Sequence, residues 1–155
     1  MGTEIERKFL VRGDGWRDEV SKETRFKQGY LANQPNASVR VRIQGDRAFL
    51  NIKSTTIGVR RYEFEYEVPV EEADQMLEHV AERPFIDKTR YEIRHGAHLW
   101  ELDVFHGENA GLIVAEVELG AEDEAFELPD WAGEDVSHDP RYYNVNLVKH
   151  PYSKW

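Results

Sequence analysis

The chain has 155 residues, 40% hydrophobic and 12% aromatic, and carries 20 Lys and Arg against 30 Asp and Glu, a formal net charge of −10. That apolar content suffices for a single globular domain spanning residues 1–155, while the acidic balance argues against nucleic acid and anionic membranes as partners. With no cysteine, disulfides, thiolate nucleophiles and Cys-based zinc sites are excluded and a cytoplasmic location is expected; no apolar run reaches spanning length, and the start lacks the order of a secretory signal.

In chain order, alternation predicts a strand over residues 4–11, with Glu4, Glu6 and Lys8 on one face and Ile5, Phe9 and Val11 on the other. Two carboxylates and an ammonium on one small surface suit a hard divalent cation beside a phosphate, since Mg²⁺ takes oxygen ligands and keeps part of its shell for water and substrate. A solvated strand face carrying an ion pair is the plainer reading of that segment alone. A short helix is expected within 16–23 and a short strand over 28–31. The strand over 39–43 puts Arg40 and Arg42 on one face, and that over 49–53 sets Lys53 opposite Leu50 and Ile52. Over 61–68, Glu63, Glu65 and Glu67 alternate with Tyr62, Phe64 and Tyr66.

Ala73, Met76, Leu77 and Val80 recur at helical spacing, with acidic residues in the first turn, so an amphipathic helix is predicted over 71–80. Further strands follow over 88–93 (Lys88 with Arg90), 100–105 (Glu101 with Asp103) and 113–119 (Glu116 with Glu118), with a turn at 95–98. A helix is expected to start near Glu122, and Asp139-Pro140 reads as an N-cap and first helical position for a last helix.

Random solvated faces would mix signs, yet Arg40 with Arg42, Lys88 with Arg90, Glu63 with Glu65 and Glu116 with Glu118 each pair like charges. Like charges two apart repel unless an opposite charge lies between them. The pattern predicts a mainly β fold (α+β): a closed, tunnel-like barrel of about eight antiparallel strands, basic and acidic strands facing across a wet lumen, with a few peripheral helices. Buried ion pairs arranged for stability alone are the alternative, weakened by their desolvation cost.

The opening Glu4-x-Glu6-x-Lys8 resembles the ExExK signature of the CYTH, or triphosphate tunnel metalloenzyme, family. The resemblance runs on through Gln28-Gly29-Tyr30-Leu31, Arg40-x-Arg42, Asn51-Ile52-Lys53-Ser54, Glu63-Phe64-Glu65, Lys88-Thr89-Arg90-Tyr91, Glu101-Leu102-Asp103-Val104-Phe105 and Val114-Ala115-Glu116-Val117-Glu118, and the segment from Asp139 to Lys149 resembles the closing helix of bacterial members. It implies an eight-stranded tunnel that grips a linear triphosphate. By position it implies Glu4, Glu6, Glu63, Glu65, Asp103, Glu116 and Glu118 as ligands or supports for Mg²⁺ or Mn²⁺, and Lys8, Arg40, Arg42, Lys53, Lys88 and Arg90 as phosphate binders. Lys8, Tyr30 and Glu6 are implied as the catalytic group, with Tyr30 orienting water or phosphate; a plain packing tyrosine is the other reading of Tyr30. Arginine offers phosphate a planar fork and lysine a compact charge, and phosphoryl transfer asks chiefly for positioning and charge stabilisation.

Among the family's activities, the compact length and the start Ile5-Glu6-Arg7-Lys8-Phe9-Leu10 are most similar to small bacterial inorganic triphosphatases. The expected reaction is metal-dependent hydrolysis of inorganic triphosphate to pyrophosphate and orthophosphate. The alternatives are a class IV-type adenylate cyclase, a thiamine or nucleoside triphosphatase, and a non-catalytic polyphosphate or nucleotide sensor; homodimerisation stays open. The six histidines complete no metal-ligand pattern, and neither a phosphate loop nor a nucleophile elbow is present. Lys149 has two readings, a tunnel residue or a solvated lysine complementing a helix C-terminus.

Overall fold

A computed structural model of the chain describes residues 5–54 and 62–155. Nine antiparallel strands form one sheet: β1 (Ile5–Val11), β2 (Val20–Gln34), β3 (Ala37–Gln44), β4 (Arg47–Ser54), β5 (Glu63–Val68), β6 (Ile86–His95), β7 (His98–Phe105), β8 (Ile113–Leu119) and β9 (Ala132–Asp135). Their order is β5-β4-β3-β2-β6-β7-β8-β1-β9. Two helices, α1 (Val70–His79) and α2 (Asn144–Lys149), accompany them.

The closed eight-stranded barrel expected from the charge pattern is not what forms. Among the described residues β5 pairs only with β4, β9 pairs only with β1, and the two edges do not pair with each other, so the sheet curls but stays open. The curl itself is strong. β3 and β1 stand five strands apart in the sheet, about 24 Å if it were flat, yet Arg42 and Lys8 line one cavity.

Several local expectations also change. The helix expected within 16–23 is a single 3-10 turn, Gly15–Glu19, because the backbone from Val20 onward is committed to β2, which pairs with β6 over Val20–Gln28 and with β3 over Phe26–Gln34. The short strand over 28–31 is thus the middle of a 15-residue strand. No helix starts near Glu122, and the short β9 had no signal of its own because its four residues pair to β1 through a shifted register. Asp139 does cap a turn, accepting from the Arg141 N–H with Pro140 at its start, but that turn is a 3-10 helix and α2 begins afterwards at Asn144.

The outward face is apolar and covered in two places. Phe9, Trp100, Leu102, Ala115 and Val117 pack beneath Trp16 and Trp131. Val41, Ile43 and Ala48 pack beneath Ala73 and Leu77 of α1, while Val80, expected on that face, is 58% exposed just past the helix end. A third cluster has a different origin. Leu10 and Val114 are register partners two positions along from Lys8 and Glu116, so they share the inward face, and with Ile86 and Phe105 they are capped by Tyr142, Leu147 and Val148. The C-terminal segment therefore blocks one end of the concave face with apolar side chains, each fully buried one contributing about 1.5–3 kcal/mol. Among the described residues, no helix is long and apolar enough to cross a membrane.

Candidate active site

Strand register decides which charges meet. Lys8 lies directly opposite Glu116 and Glu6 opposite Glu118; Glu116 in turn faces Glu101, and Asp103 faces Arg90. On the other side of β6, Lys88 faces Phe26, Gln28 faces Arg42 and Tyr30 faces Arg40, while Asn51 stands between Arg40 and Glu65. Because side chains alternate, all of these lie on one face of the sheet. Curling makes that face the wall of a cavity of about 380 Å³.

The cavity is lined by Lys8, Arg40, Arg42, Lys88 and Arg90 against the carboxylates of Glu6, Glu101 and Glu116, an excess of positive charge in a strongly acidic chain. Gln28, Tyr30 and Phe26 line it from β2, and Tyr143 and Asn144 from the start of α2. Of the residues implied by resemblance, Glu6, Lys8, Tyr30, Arg40, Arg42, Lys88, Arg90 and Glu116 therefore come together. Lys53, Glu63 and Glu65 stand beside the cavity on β4 and β5, and Glu118 is exposed at the rim on β8. Glu4 lies outside the described residues. Lys149 is on the far side of α2, where it shares a surface pocket of about 230 Å³ with His150 and Trp155.

Asp103 sits beneath the cavity rather than in its wall. It is 2% exposed and accepts from Lys88 Nζ at 2.8 Å and from Arg90 Nε and Nη2 at 2.8 and 2.9 Å. Burial alone would raise its carboxyl, but Lys88 and Arg90 outweigh that and hold it below the usual aspartate range. Lys88 moves below the usual lysine range because it is buried and has Arg90 nearby, with Asp103 opposing. Arg90 moves up: burial works against its charge, but the hydrogen bonds and charges of Asp103, with Glu101, outweigh it. Arg90 also donates through Nη1 to Glu101 at 2.9 Å. Asp103 thus supports two cations and has little to spare for a metal ion.

Lys8 Nζ is 3.2 Å from Glu116 Oε1, donates to the Tyr142 carbonyl at 3.3 Å and lies over the Tyr143 ring at 5.4 Å. Arg42 reaches only to 3.8 Å from Glu65 Oε2, and burial, with the like charge of Arg40, lowers its guanidinium pKa. Among the described residues, Nε of both Arg40 and Arg42 is buried without a hydrogen-bond partner. Two adjacent arginines held in this way have spare donors for an anion.

For a metal ion the donor set is all oxygen, which suits a hard cation. No three His, Asp or Glu residues among those described converge into a ready-made cage. That fits Mg²⁺ or Mn²⁺ chemistry, in which one or two carboxylates share the ion with water and substrate phosphate, better than it fits a closed site. Glu116 beside Glu101, and Glu6 beside Glu118, are the paired carboxylates available for it.

Sequence reasoning missed Glu101, Gln28, Tyr143 and Asn144 as cavity residues. Glu101 had a usable signal, since it alternates onto the same strand face as Asp103; in the fold its carboxyl is pushed up, first by burial and then by Glu116 and Asp103 against the pull of Arg90. Tyr143 and Asn144 had none, because they arrive from the opposite end of the chain.

Comparison with known proteins agrees with this geometry. The CYTH domain family model matches residues 2–152. A protein of Acetivibrio thermocellus named inorganic triphosphatase is 46% identical over 155 residues, covering 100% of this chain and 99% of its own length. One of the same name from Nitrosomonas europaea is 39% identical over 150 residues, 94% of this chain and 97% of its own. The crystal structure of an inorganic triphosphatase, 37% identical, superposes with a TM-score of 0.75 and covers 96% of this chain and 95% of that one. A Pyrococcus horikoshii protein at 19% identity and TM-score 0.52, covering 78% of this chain and 80% of its own, shares the fold alone. With a match running almost from end to end and enzymes of equal length among its relatives, the chain belongs to the CYTH domain family.

Proposed function

We propose that this chain hydrolyses inorganic triphosphate to pyrophosphate and orthophosphate in its charged cavity, with Mg²⁺ or Mn²⁺ as cofactor. The observation that carries the reading is the convergence of Lys8, Arg40, Arg42, Lys88 and Arg90 on one cavity that also holds paired carboxylates. Relatives named inorganic triphosphatase, matched over their whole length, support it. A cysteine-free chain is compatible with the cytoplasm as its compartment.

In this mechanism Arg40 and Arg42 grip the phosphate chain from β3, Lys88 and Arg90 from β6, and Lys8 from β1, with Lys53 at the margin. Glu6, Glu116 and Glu118 would hold the cation, with Glu63 and Glu65 in support, while Asp103 fixes Lys88 and Arg90. A bound divalent ion neutralises phosphate charge and polarises the phosphoryl oxygens. Tyr30 and the carboxylate of Glu6 orient a water for attack on the terminal phosphorus. The new P–O bond forms as the anhydride bond breaks, the electron pair of that bond leaves on pyrophosphate, where Lys8 and Lys88 balance the charge, and the proton lost by the attacking water is taken up by an oxygen of the departing pyrophosphate. Positioning and charge carry the catalysis, and no nucleophilic side chain is needed.

Phosphate release from triphosphate is the test. Chelation should abolish turnover and Mg²⁺ or Mn²⁺ restore it, while Ca²⁺, with its looser and larger coordination shell, supports it poorly. Glu6→Gln should lose activity with its circular dichroism intact. Full turnover after exhaustive chelation would sink the assignment.

A further inference from the structure

We propose that Asn51 is a positioning residue that keeps the arginines of β3 open for phosphate by occupying the glutamates that would otherwise close on them. The inference rests on the triphosphate reading of the cavity and adds a residue to it. Asn51 is only 3% exposed, on the inward face of β4, with Arg40 beside it on β3 and Glu65 beside it on β5. Its Nδ2 donates to Glu63 Oε1 at 2.9 Å and to Glu65 Oε2 at 3.2 Å, so both amide hydrogens are used on two carboxylates that repel each other. Turning the amide over would aim its oxygen at those carboxylates, so the glutamates fix its orientation. Its Oδ1 is buried and accepts nothing among the described residues.

Two arginines elsewhere in the molecule close on a neighbouring carboxylate at two points: Arg25 on Asp87 at 2.7 and 2.9 Å, and Arg47 on Glu67, on the same β4–β5 strand pair as Asn51, at 2.7 and 3.1 Å. Arg42 and Glu65 do not: their nearest approach is 3.8 Å. β4 lies between the two, and the Glu65 oxygen nearest Arg42, Oε2, already accepts from the amide of Asn51. Without it, Glu65 would recruit a guanidinium, and an incoming phosphate would have to break that pair before binding.

Calorimetric titration of inorganic triphosphate in the presence of EDTA, where turnover is stopped, tests this. Asn51→Ala should weaken binding by about tenfold. Asn51→Ser, which keeps one donor but cannot span both carboxylates, should fall between. Adding Glu65→Gln to Asn51→Ala should bring affinity back to within about twofold of Glu65→Gln alone, because the competing charge is gone. Wild-type affinity in both Asn51 variants, or a loss that Glu65→Gln does not relieve, overturns the inference while leaving the triphosphate site standing. Wild-type protein that binds no triphosphate overturns both.

Discussion

At the residue scale, the cationic side chains divide into two kinds. Lys88 and Arg90 are locked onto Asp103 by three hydrogen bonds of 2.8–2.9 Å, whereas Nε of both Arg40 and Arg42 is buried with no acceptor among the described residues. The arginines of β3 should therefore read out mainly in binding. Arg40→Ala or Arg42→Ala is expected to remove a charge-assisted contact of about 1.5–3 kcal/mol and to weaken triphosphate affinity roughly ten- to a hundredfold, measured by calorimetry, with little loss of stability. Asp103 should behave in the opposite way. Asp103→Asn leaves the buried Lys88 without its counter-charge and Arg90 with Glu101 alone, and should cost about 3–5 kcal/mol in urea denaturation. The sign of the pH effect follows from its direction of shift. A carboxyl held below its ordinary range in the folded state stabilises at neutral pH, and that contribution is lost as acidification below about pH 4 protonates the unfolded chain first. Stability of the wild type should fall through that window, and Asp103→Asn should flatten the fall.

At the element scale, β2 links the floor of the cavity to the outer helix layer. Gln28 and Tyr30 point inward while Gly29 points outward under α1, because the strand alternates. A Cβ at Gly29 would lie 3.0 Å from both Ala81 Cβ and Leu77 Cδ2 and 3.2 Å from Phe85 Cβ. Glycine there is a packing requirement. Gly29→Ala should overpack this contact and cost about 1–3 kcal/mol, seen as a lowered thermal midpoint. Wild-type stability would mean that α1 shifts freely on the sheet.

For the whole molecule, the open edge between β5 and β9 and the apolar stopper formed by α2 define what can enter. On the proposed reading Lys8, Arg40, Arg42, Lys88 and Arg90 spend their recognition on the phosphate chain, and among the described residues the aromatic members of the cavity lining are Phe26, Tyr30 and Tyr143. Bare triphosphate should therefore exceed ATP in kcat/KM by at least about tenfold, and pyrophosphate should be poor because it spans fewer of the cations. ATP preferred, with cyclic AMP as product, would reassign the substrate and leave the cavity intact.

The face each charged residue occupies was already written in the sequence, since strand alternation is a local property. That is why Glu6 with Lys8, Arg40 with Arg42, and Glu116 with Glu118 share the inward face as expected. The sign clustering likewise announced a cavity with an excess of cationic side chains in an acidic chain. What tertiary structure alone decided are the features that depend on distant segments. Whether β5 meets β9, and so whether the barrel closes, depends on curl accumulated over nine strands, and it does not close. Asp103 accepts three hydrogen bonds because Lys88 and Arg90, on the neighbouring strand, both reach it. Tyr143 and Asn144 reach the cavity because α2 buries Leu147 and Val148 against the inner apolar cluster. Local periodicity fixes orientation, but only the packing of residues far apart in the chain fixes which of those orientations meet.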